Sequence, residues 1–391
     1  MSNWKPDEII INDAVRDDPV TIRVVEQCPG VPVRYVSSSK PSEVVAASTV
    51  LSAAGPDMIN TILAGKRVLH VAPPGDAVDV FTMPDDRMVC PHFERLKLAS
   101  NGCFYRCDWC YLKLTYRVAY PFITVRAGLD IIKDQLGKRL SKASGPVMFN
   151  SGELADSLSM EHLTGAARER IPWFSRSGNG YLFMLTKSDN VDGILDLEHN
   201  GHTIVVWSIN APEVSGRFEL GAPSFDRRLA AAAKVQKAGY PARIRLDPIV
   251  PVPGWREQYA ETIRRIFEEV NPERVTLGTL RFEPGFYKNR RKLVTTGNEL
   301  LGYMERMEPM FPPLAVPGKK NPVEGKHSFP DDERAELFKF AIAEIRKFSD
   351  CRIALCKESA AVWERVGLPL YRCSCVCQLD YADMGSTVKM G

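Results

Sequence analysis

Residues 100–111 read Ser100-Asn101-Gly102-Cys103-Phe104-Tyr105-Arg106-Cys107-Asp108-Trp109-Cys110-Tyr111, and this stretch decides the fold. Its Cys-x3-Cys-x2-Cys spacing lets three thiolates converge on one face of a small inorganic cluster. Thiolates are the natural ligands of iron–sulfur cubanes. Three ligands instead of four leave one iron open, as a catalytic centre needs. A structural zinc site is closed by four ligands, and no fourth stands at short range here. Cys103, Cys107 and Cys110 are therefore the candidate metal ligands, and a [4Fe–4S] cluster is the group they would hold.

Outward from this loop, short apolar runs alternate with amphipathic helices between about 96 and 285, the pattern of βα units on a mostly parallel sheet. Strands are expected at Arg95–Ala99, Pro146–Phe149, Leu182–Thr186, Thr203–Ile209, Ala242–Pro248 and Arg274–Thr279. Helices are expected at Phe225–Ala238, capped by Ser224 and closed by Gly239, and at Tyr259–Val270. The fold class is thus α/β, a partial (β/α)6 barrel, in which active sites gather at the C-terminal strand ends. Residues 1–95 read as an N-terminal extension, 96–290 as the barrel, and 291–391 as a C-terminal cap with a cysteine-rich tail. The cap contains a helix at Asp331–Phe348, a short strand at Arg352–Leu355 and a helix at Ser359–Val366.

The 391 residues are 45% hydrophobic and 25% charged, which excludes disorder and fibrous classes. Lys plus Arg is 51 against 48 acidic residues. A surplus this small does not demand a nucleic-acid partner but permits a local basic groove. No apolar run of about 18 residues suggests a membrane span. Met1–Asp18 has no apolar signal core, so a cytoplasmic location is expected. Ten cysteines in a reducing compartment need a reason other than disulfides. Six of them fall in two tight groups, which points to metal or metalloid chemistry.

The triad after a first barrel strand resembles the radical S-adenosylmethionine (SAM) superfamily. That resemblance implies that SAM chelates the open iron through its amino and carboxyl groups. One electron from the cluster, delivered by a donor such as flavodoxin or ferredoxin, then breaks a sulfonium C–S bond. Tyr105 and Trp109 become cofactor-binding candidates, with Trp109 against the adenine.

A narrower resemblance, over roughly 90–290, is to the spore photoproduct lyase family. It rests on Leu185-Thr186-Lys187, His199-Asn200-Gly201, Trp207-Ser208-Ile209-Asn210-Ala211, Pro223-Ser224-Phe225-Asp226-Arg227-Arg228, Lys237-Ala238-Gly239-Tyr240-Pro241 and Pro251-Val252-Pro253-Gly254-Trp255. It implies that Lys187 and Ser208 contact the SAM carboxylate or ribose, which suits an ammonium and a hydroxyl facing an anionic ligand. One position departs from that family. The cysteine that returns a hydrogen atom to the DNA product falls here on Glu153. A carboxylic O–H bond is too strong for that task, which argues against thymine-dimer repair. Ser151-Gly152-Glu153 resembles instead the Gly-Gly-Glu element whose carboxylate holds the SAM amino group.

The second group is Tyr371-Arg372-Cys373-Ser374-Cys375-Val376-Cys377. Its spacing is too tight for a cubane and suits a soft three-coordinate thiophile such as trivalent arsenic. Arg372 lowers the thiol pKa values by its fixed charge. This element resembles the Arg-Cys-Cys-x-x-Cys of the arsinothricin-biosynthesis group of radical SAM enzymes. That resemblance implies transfer of the 3-amino-3-carboxypropyl group of SAM to arsenite, forming a C–As bond, with Cys373, Cys375 and Cys377 as catalytic residues holding As(III). A buried strand of inert thiols, or a second cluster joined by Cys351 or Cys356, are the other readings of the same spacing. The alternative function is a lyase acting on DNA or another substrate through a 5′-deoxyadenosyl radical. The basic run Lys288-Asn289-Arg290-Arg291-Lys292 is the support for nucleic acid. Arg245 and Asp247-Pro248, at the end of the fifth expected strand, are placed to line the site.

Overall fold

The computed structural model describes residues 4–82, 87–90, 93–115, 119–315 and 322–369. In chain order the strands are β1 (Glu8–Asn12), β2 (Val33–Val36), β3 (Val68–Ala72), β4 (Val78–Phe81), β5 (Met88–Val89), β6 (Phe93–Leu96), β7 (Ala99–Ser100), β8 (Ile123–Arg126) and β9 (Val147–Asn150). They continue as β10 (Gly180–Thr186), β11 (Thr203–Ile209), β12 (Ala242–Ile249), β13 (Arg274–Thr279), β14 (Arg281–Phe282), β15 (Glu308–Pro309), β16 (His327–Ser328), β17 (Arg352–Leu355) and β18 (Glu358–Ser359).

The larger sheet runs β17-β13-β12-β11-β10-β9-β6-β4. Its seven strands from β17 to β6 pair in parallel, and only β4 is antiparallel, hydrogen-bonded to β6. This is the α/β partial barrel expected from the alternation of apolar runs and helices. β11 is buried at every position, Thr203 to Ile209, because helices cover one face while the barrel interior fills the other. Helix Phe225–Lys237 lies on the sheet through Phe225, Leu229, Ala232 and Val235, and the Ser224 hydroxyl caps its first turn by accepting from the Arg227 N–H. Helix Trp255–Glu269 starts four residues before the expected Tyr259, because Gly254 in the left-handed region turns the chain directly into it.

Two elements differ from the sequence reading. The expected strand Arg95–Ala99 is split: β6 ends at Leu96 in the barrel, while β7 pairs with β8 in another sheet. The chain thus changes sheets just before the cysteine loop. β17, read as part of the C-terminal cap, hydrogen-bonds to β13 and extends the barrel sheet.

The N-terminal residues build a second sheet, β2-β1-β3-β8-β7. Its first four strands are parallel, with Ile9–Asn12 between Val33–Val36 and Val68–Val71. Ile9, Ile10 and Ile11 have no exposed surface. Their continuous apolar run fits a strand buried on both faces. No helix among the described residues is long and apolar enough to cross a membrane.

Candidate active site

Every parallel strand of the barrel delivers side chains at or just past its C-terminal end. Gly152 and Glu153 follow β9, Lys187 follows β10, Ser208 lies near the end of β11, and Arg245 and Asp247 near that of β12. Arg281 follows β13, and Cys356 and Lys357 follow β17. All of these except Cys356 line one cavity of about 490 Å³, together with Cys103, Cys107, Cys110, Tyr105 and Trp109 from the loop after β7. Arg245 and Asp247, singled out from the sequence, face this cavity. Cys373, Cys375 and Cys377 lie outside the described residues.

The cysteine loop is held from three directions. From beneath, the buried Lys66 ammonium donates to Asn101 Oδ1 at 2.9 Å and to the Cys103 carbonyl at 2.6 Å. Burial lowers the pKa of this lysine, and the neighbouring thiol positions act the other way. On the far side, Asp108 is fully buried and pairs with Lys113 at 3.0 Å. Its carboxylate also accepts from Thr295 N at 3.0 Å, Thr295 Oγ1 at 2.7 Å and Thr296 N at 2.7 Å, and from the Thr296 hydroxyl. Burial alone would raise the Asp108 pKa, but Lys113 and the two threonines hold it below the usual carboxylate value. From the barrel, the Tyr111 hydroxyl donates to the Glu153 carbonyl.

Burial pushes the Cys103 thiol well up and the Cys107 thiol to about 12. Thiols in such surroundings ionise when a metal takes the thiolate. Among the described residues, no three His, Cys, Asp or Glu side chains close on a single-ion position. The three thiols line one cavity together, and three cysteines with no fourth ligand among the described residues suit a polynuclear cluster with an open iron and not a closed zinc site.

Gly152 shows how tightly the next strand end is packed. A Cβ there would stand 2.6 Å from Leu185 Cβ and 2.9 Å from the Leu185 carbonyl oxygen. Only a glycine lets the chain pass β10 and present Glu153 to the cavity. The Glu153 carboxylate accepts from Lys357 Nζ at 3.2 Å. Lys187 Nζ donates to Ser208 Oγ at 3.0 Å and stands 3.4 Å from Glu219 Oε1. Arg228, itself buried, lies 2.5 Å from the other Glu219 oxygen. Burial works against the Lys187 charge, but Glu219 and then Cys107 outweigh it, so its pKa is raised and the ammonium persists. The pair that the sequence assigns to an anionic ligand, Lys187 and Ser208, is therefore in direct contact. Trp109 packs at a tilt on Phe218, 5.7 Å between ring centroids, and Tyr105 is nearly inaccessible against the edge of Phe104.

Several site residues were not singled out from sequence, among them Lys66, Asp108, Asp156, Glu219, Arg281 and Lys357. Asp156 accepts from Thr186 Oγ1 at 2.6 Å, Lys187 N at 2.7 Å, Ser159 N at 2.9 Å and Leu158 N at 3.1 Å. It ties the ends of β9 and β10 together. Burial nonetheless raises its pKa. A carboxylate inside the cysteine loop, Asp108, was the one available signal, since an acid beside three thiolates needs a structural reason. The basic run around Lys288 lies on short helices beside a different cavity, where Lys288 pairs with Glu324 and Arg290 stacks on Tyr287.

The family model of spore photoproduct lyase matches residues 91–295, which contain the cysteine loop and the strand ends β9 to β13. The spore photoproduct lyase of Bacillus subtilis is 36% identical over 173 residues, 44% of this chain and 49% of that protein. The spore photoproduct lyase of Geobacillus sp. is 34% identical over 185 residues, 47% of this chain and 53% of that protein. The chain thus matches about half the length of these curated relatives. A solved spore photoproduct lyase complexed with dinucleoside spore photoproduct superposes with a TM-score of 0.75 at 23% identity, over 90% of this chain and 100% of that one. A variant of that enzyme with bound AdoMet and dinucleoside spore photoproduct gives 0.73, also at 23%, over 90% and 98%. The cofactors of this fold are a [4Fe–4S] cluster and SAM, and the thiol wall with its facing Lys187, Ser208 and Glu153 fits both. A barrel whose strand ends converge on a three-cysteine loop, matched across more than half its length, places this chain in the spore photoproduct lyase family of radical SAM enzymes.

Proposed function

We propose that this chain is a radical SAM enzyme of the lyase type, which breaks a bond in its substrate after abstracting a hydrogen atom from it. The carrying observation is the convergence of three thiols and the strand-end polar residues on one cavity within the family-matched segment. Cys103, Cys107 and Cys110 would hold the cluster. With SAM bound, the cluster supplies one-electron cleavage of a sulfonium C–S bond and hence a carbon radical. Glu153 takes the amino group of SAM, Lys187 and Ser208 its carboxylate or ribose, and Trp109 and Tyr105 its adenine side. Asp156 fixes the strand ends that present these groups, and Lys66 sets a positive charge beneath the thiol wall. The substrate is DNA, in keeping with the dinucleoside spore photoproduct bound in the solved spore photoproduct lyase, or another molecule admitted by the same cavity. Glu153 does not return a hydrogen atom, so in this reading a thiol of the Cys373, Cys375 and Cys377 group supplies it.

A second reading is favoured by the same carboxylate at position 153 and by those three thiols. In it, Cys373, Cys375 and Cys377 hold As(III), and the aminocarboxypropyl group of SAM is transferred to it. The products decide. Cluster-loaded protein with SAM and a reductant should yield 5′-deoxyadenosine, unaffected by arsenite. 5′-Methylthioadenosine that appears only with arsenite would replace the lyase reading by the transfer reading.

A further inference from the structure

Lys66 reaches the cysteine loop from outside the barrel. It stands between helix Met58–Gly65 and β3, ahead of the 91–295 segment matched by the family model. It is not among the residues lining the cavity that Cys103, Cys107 and Cys110 share with Lys187. The packing that brings it there is tight. A Cβ at Gly65 would stand 2.0 Å from the Pro121 carbonyl oxygen, so a glycine lets this helix end close on the segment before β8. Asn101 completes the cradle. Its backbone is left-handed, with φ +49°, and its amide donates to the carbonyls of Pro121 at 3.0 Å, Tyr120 at 3.3 Å and Phe122 at 3.4 Å. Lys66 Nζ donates to Asn101 Oδ1 and to the Cys103 carbonyl, and the residue is only 6% exposed.

Both acceptors of this ammonium are neutral. A buried charge is costly unless opposite charge lies close. The thiol positions are where Lys66 finds it: Cys103, then Cys110 and Cys107, favour its charged form against burial and the Lys113 charge. The other cations around the thiols have carboxylates of their own. Lys187 and Arg228 share Glu219, and Lys113 pairs with Asp108. Asp156 acts on Cys103 in the sense opposite to Lys66, but its carboxylate already accepts from four donors at the strand ends. Lys66 is thus a cation whose counter-charge the cysteine loop itself provides. Three thiolates with a bound cluster are anionic, and one added electron makes them more so. A fixed ammonium stabilises the electron-rich form more than the electron-poor one, and cluster potentials follow such charges.

We propose that Lys66 is a positioning residue for electron entry: its ammonium, held against the cysteine loop by Asn101, raises the midpoint potential of the cluster and so eases reduction by a one-electron donor of the ferredoxin or flavodoxin class. The donor loses one electron, the cluster gains it, and no bond or proton changes hands at Lys66. The inference rests on ligation of the cluster by Cys103, Cys107 and Cys110. Its test is an EPR-monitored potentiometric titration of the cluster-loaded full chain without SAM, with iron counted per chain. Lys66→Gln keeps a hydrogen-bond donor and removes the charge; its cluster should be about tenfold harder to reduce, a midpoint about 59 mV lower. Asn101→Asp leaves the lysine in place and cancels its charge with a carboxylate, and should shift the equilibrium the same way by at least about threefold. Asn101→Gly accepts the left-handed backbone and removes the amide without changing charge. It should lose iron but shift the equilibrium by less than about twofold. Should Lys66→Gln bind too little iron to titrate, the difference between Asn101→Asp and Asn101→Gly decides alone. Shifts under about twofold in the charge-changing variants, or an equal shift in Asn101→Gly, would overturn the proposal and leave Lys66 a structural tie. Wild-type protein without a reducible cluster would instead sink the ligation reading, and the nucleoside products formed with SAM are assayed separately.

Discussion

Asp108 shows how much a single side chain contributes here. It sits between Cys107 and Cys110, has no exposed surface, and pairs with the buried Lys113. Asp108→Ala would strand that ammonium and four threonine donors, and removing one partner of a buried pair costs about 3–5 kcal/mol. Guanidinium unfolding should show that loss, and the reconstituted protein should retain less iron. A stability change under about 1 kcal/mol would contradict the reading. Gly152 makes the opposite argument, through the absence of a side chain. In Gly152→Ala the new Cβ meets Leu185 Cβ at 2.6 Å and must displace the segment bearing Glu153. SAM affinity by equilibrium dialysis should fall by about tenfold or more, since ångström-scale misplacement is expensive at a reacting site. Unchanged affinity would mean that Glu153 does not contact the ligand.

At the scale of elements, the strands were largely legible in sequence because uninterrupted runs such as Thr203–Ile209 leave no polar face to expose. The cysteine loop was legible because its spacing is a chemical requirement. What escaped was set by distant pairing. β17 is four residues long, and nothing in Arg352–Leu355 announces that it adds to β13, whose paired residues lie 78 positions earlier. Lys66 lies in an N-terminal segment whose sheet is completed by β8, more than fifty residues further on, so its place under the cysteine loop was not readable locally. β3 of that sheet carries His70, buried between Ser39 and Thr124, with Phe122 edge-on. Burial, reinforced by Arg126, lowers its pKa from 6.5 to about 4. The unfolded chain therefore takes up this proton first. The His70 contribution to stability is fully present above about pH 6.5, and is lost as the pH falls toward about 4, a change of up to ~3 kcal/mol. His70→Gln should flatten the acid limb of a stability-versus-pH curve between those values. A limb as steep as that of the wild type would assign the slope to other groups.

The whole molecule depends on closing its sheet late. Leu355 on β17 is 1% exposed and belongs to the main core cluster with Leu277 and Trp363. Leu355→Ala should cost about 2–5 kcal/mol, and because this strand leads to Lys357 on the cavity, SAM binding should weaken with it. A loss confined to stability, with SAM affinity intact, would show that β17 supports the fold without shaping the site. Just past β17, the buried Arg334 holds Glu358 through two 3.0 Å hydrogen bonds, fixing the segment that follows Lys357.

The Asp108 carboxylate finds its threonine partners 187 and 188 positions downstream. A ribosome adds about 5–20 residues each second, so the cysteine loop emerges roughly ten to forty seconds before Thr295 and Thr296 exist to anchor it. Metal delivered in that interval would meet an unclamped loop in a half-made sheet. The timetable of synthesis therefore favours loading the cluster after the chain is released, into a finished and clamped loop, over loading it on the nascent chain.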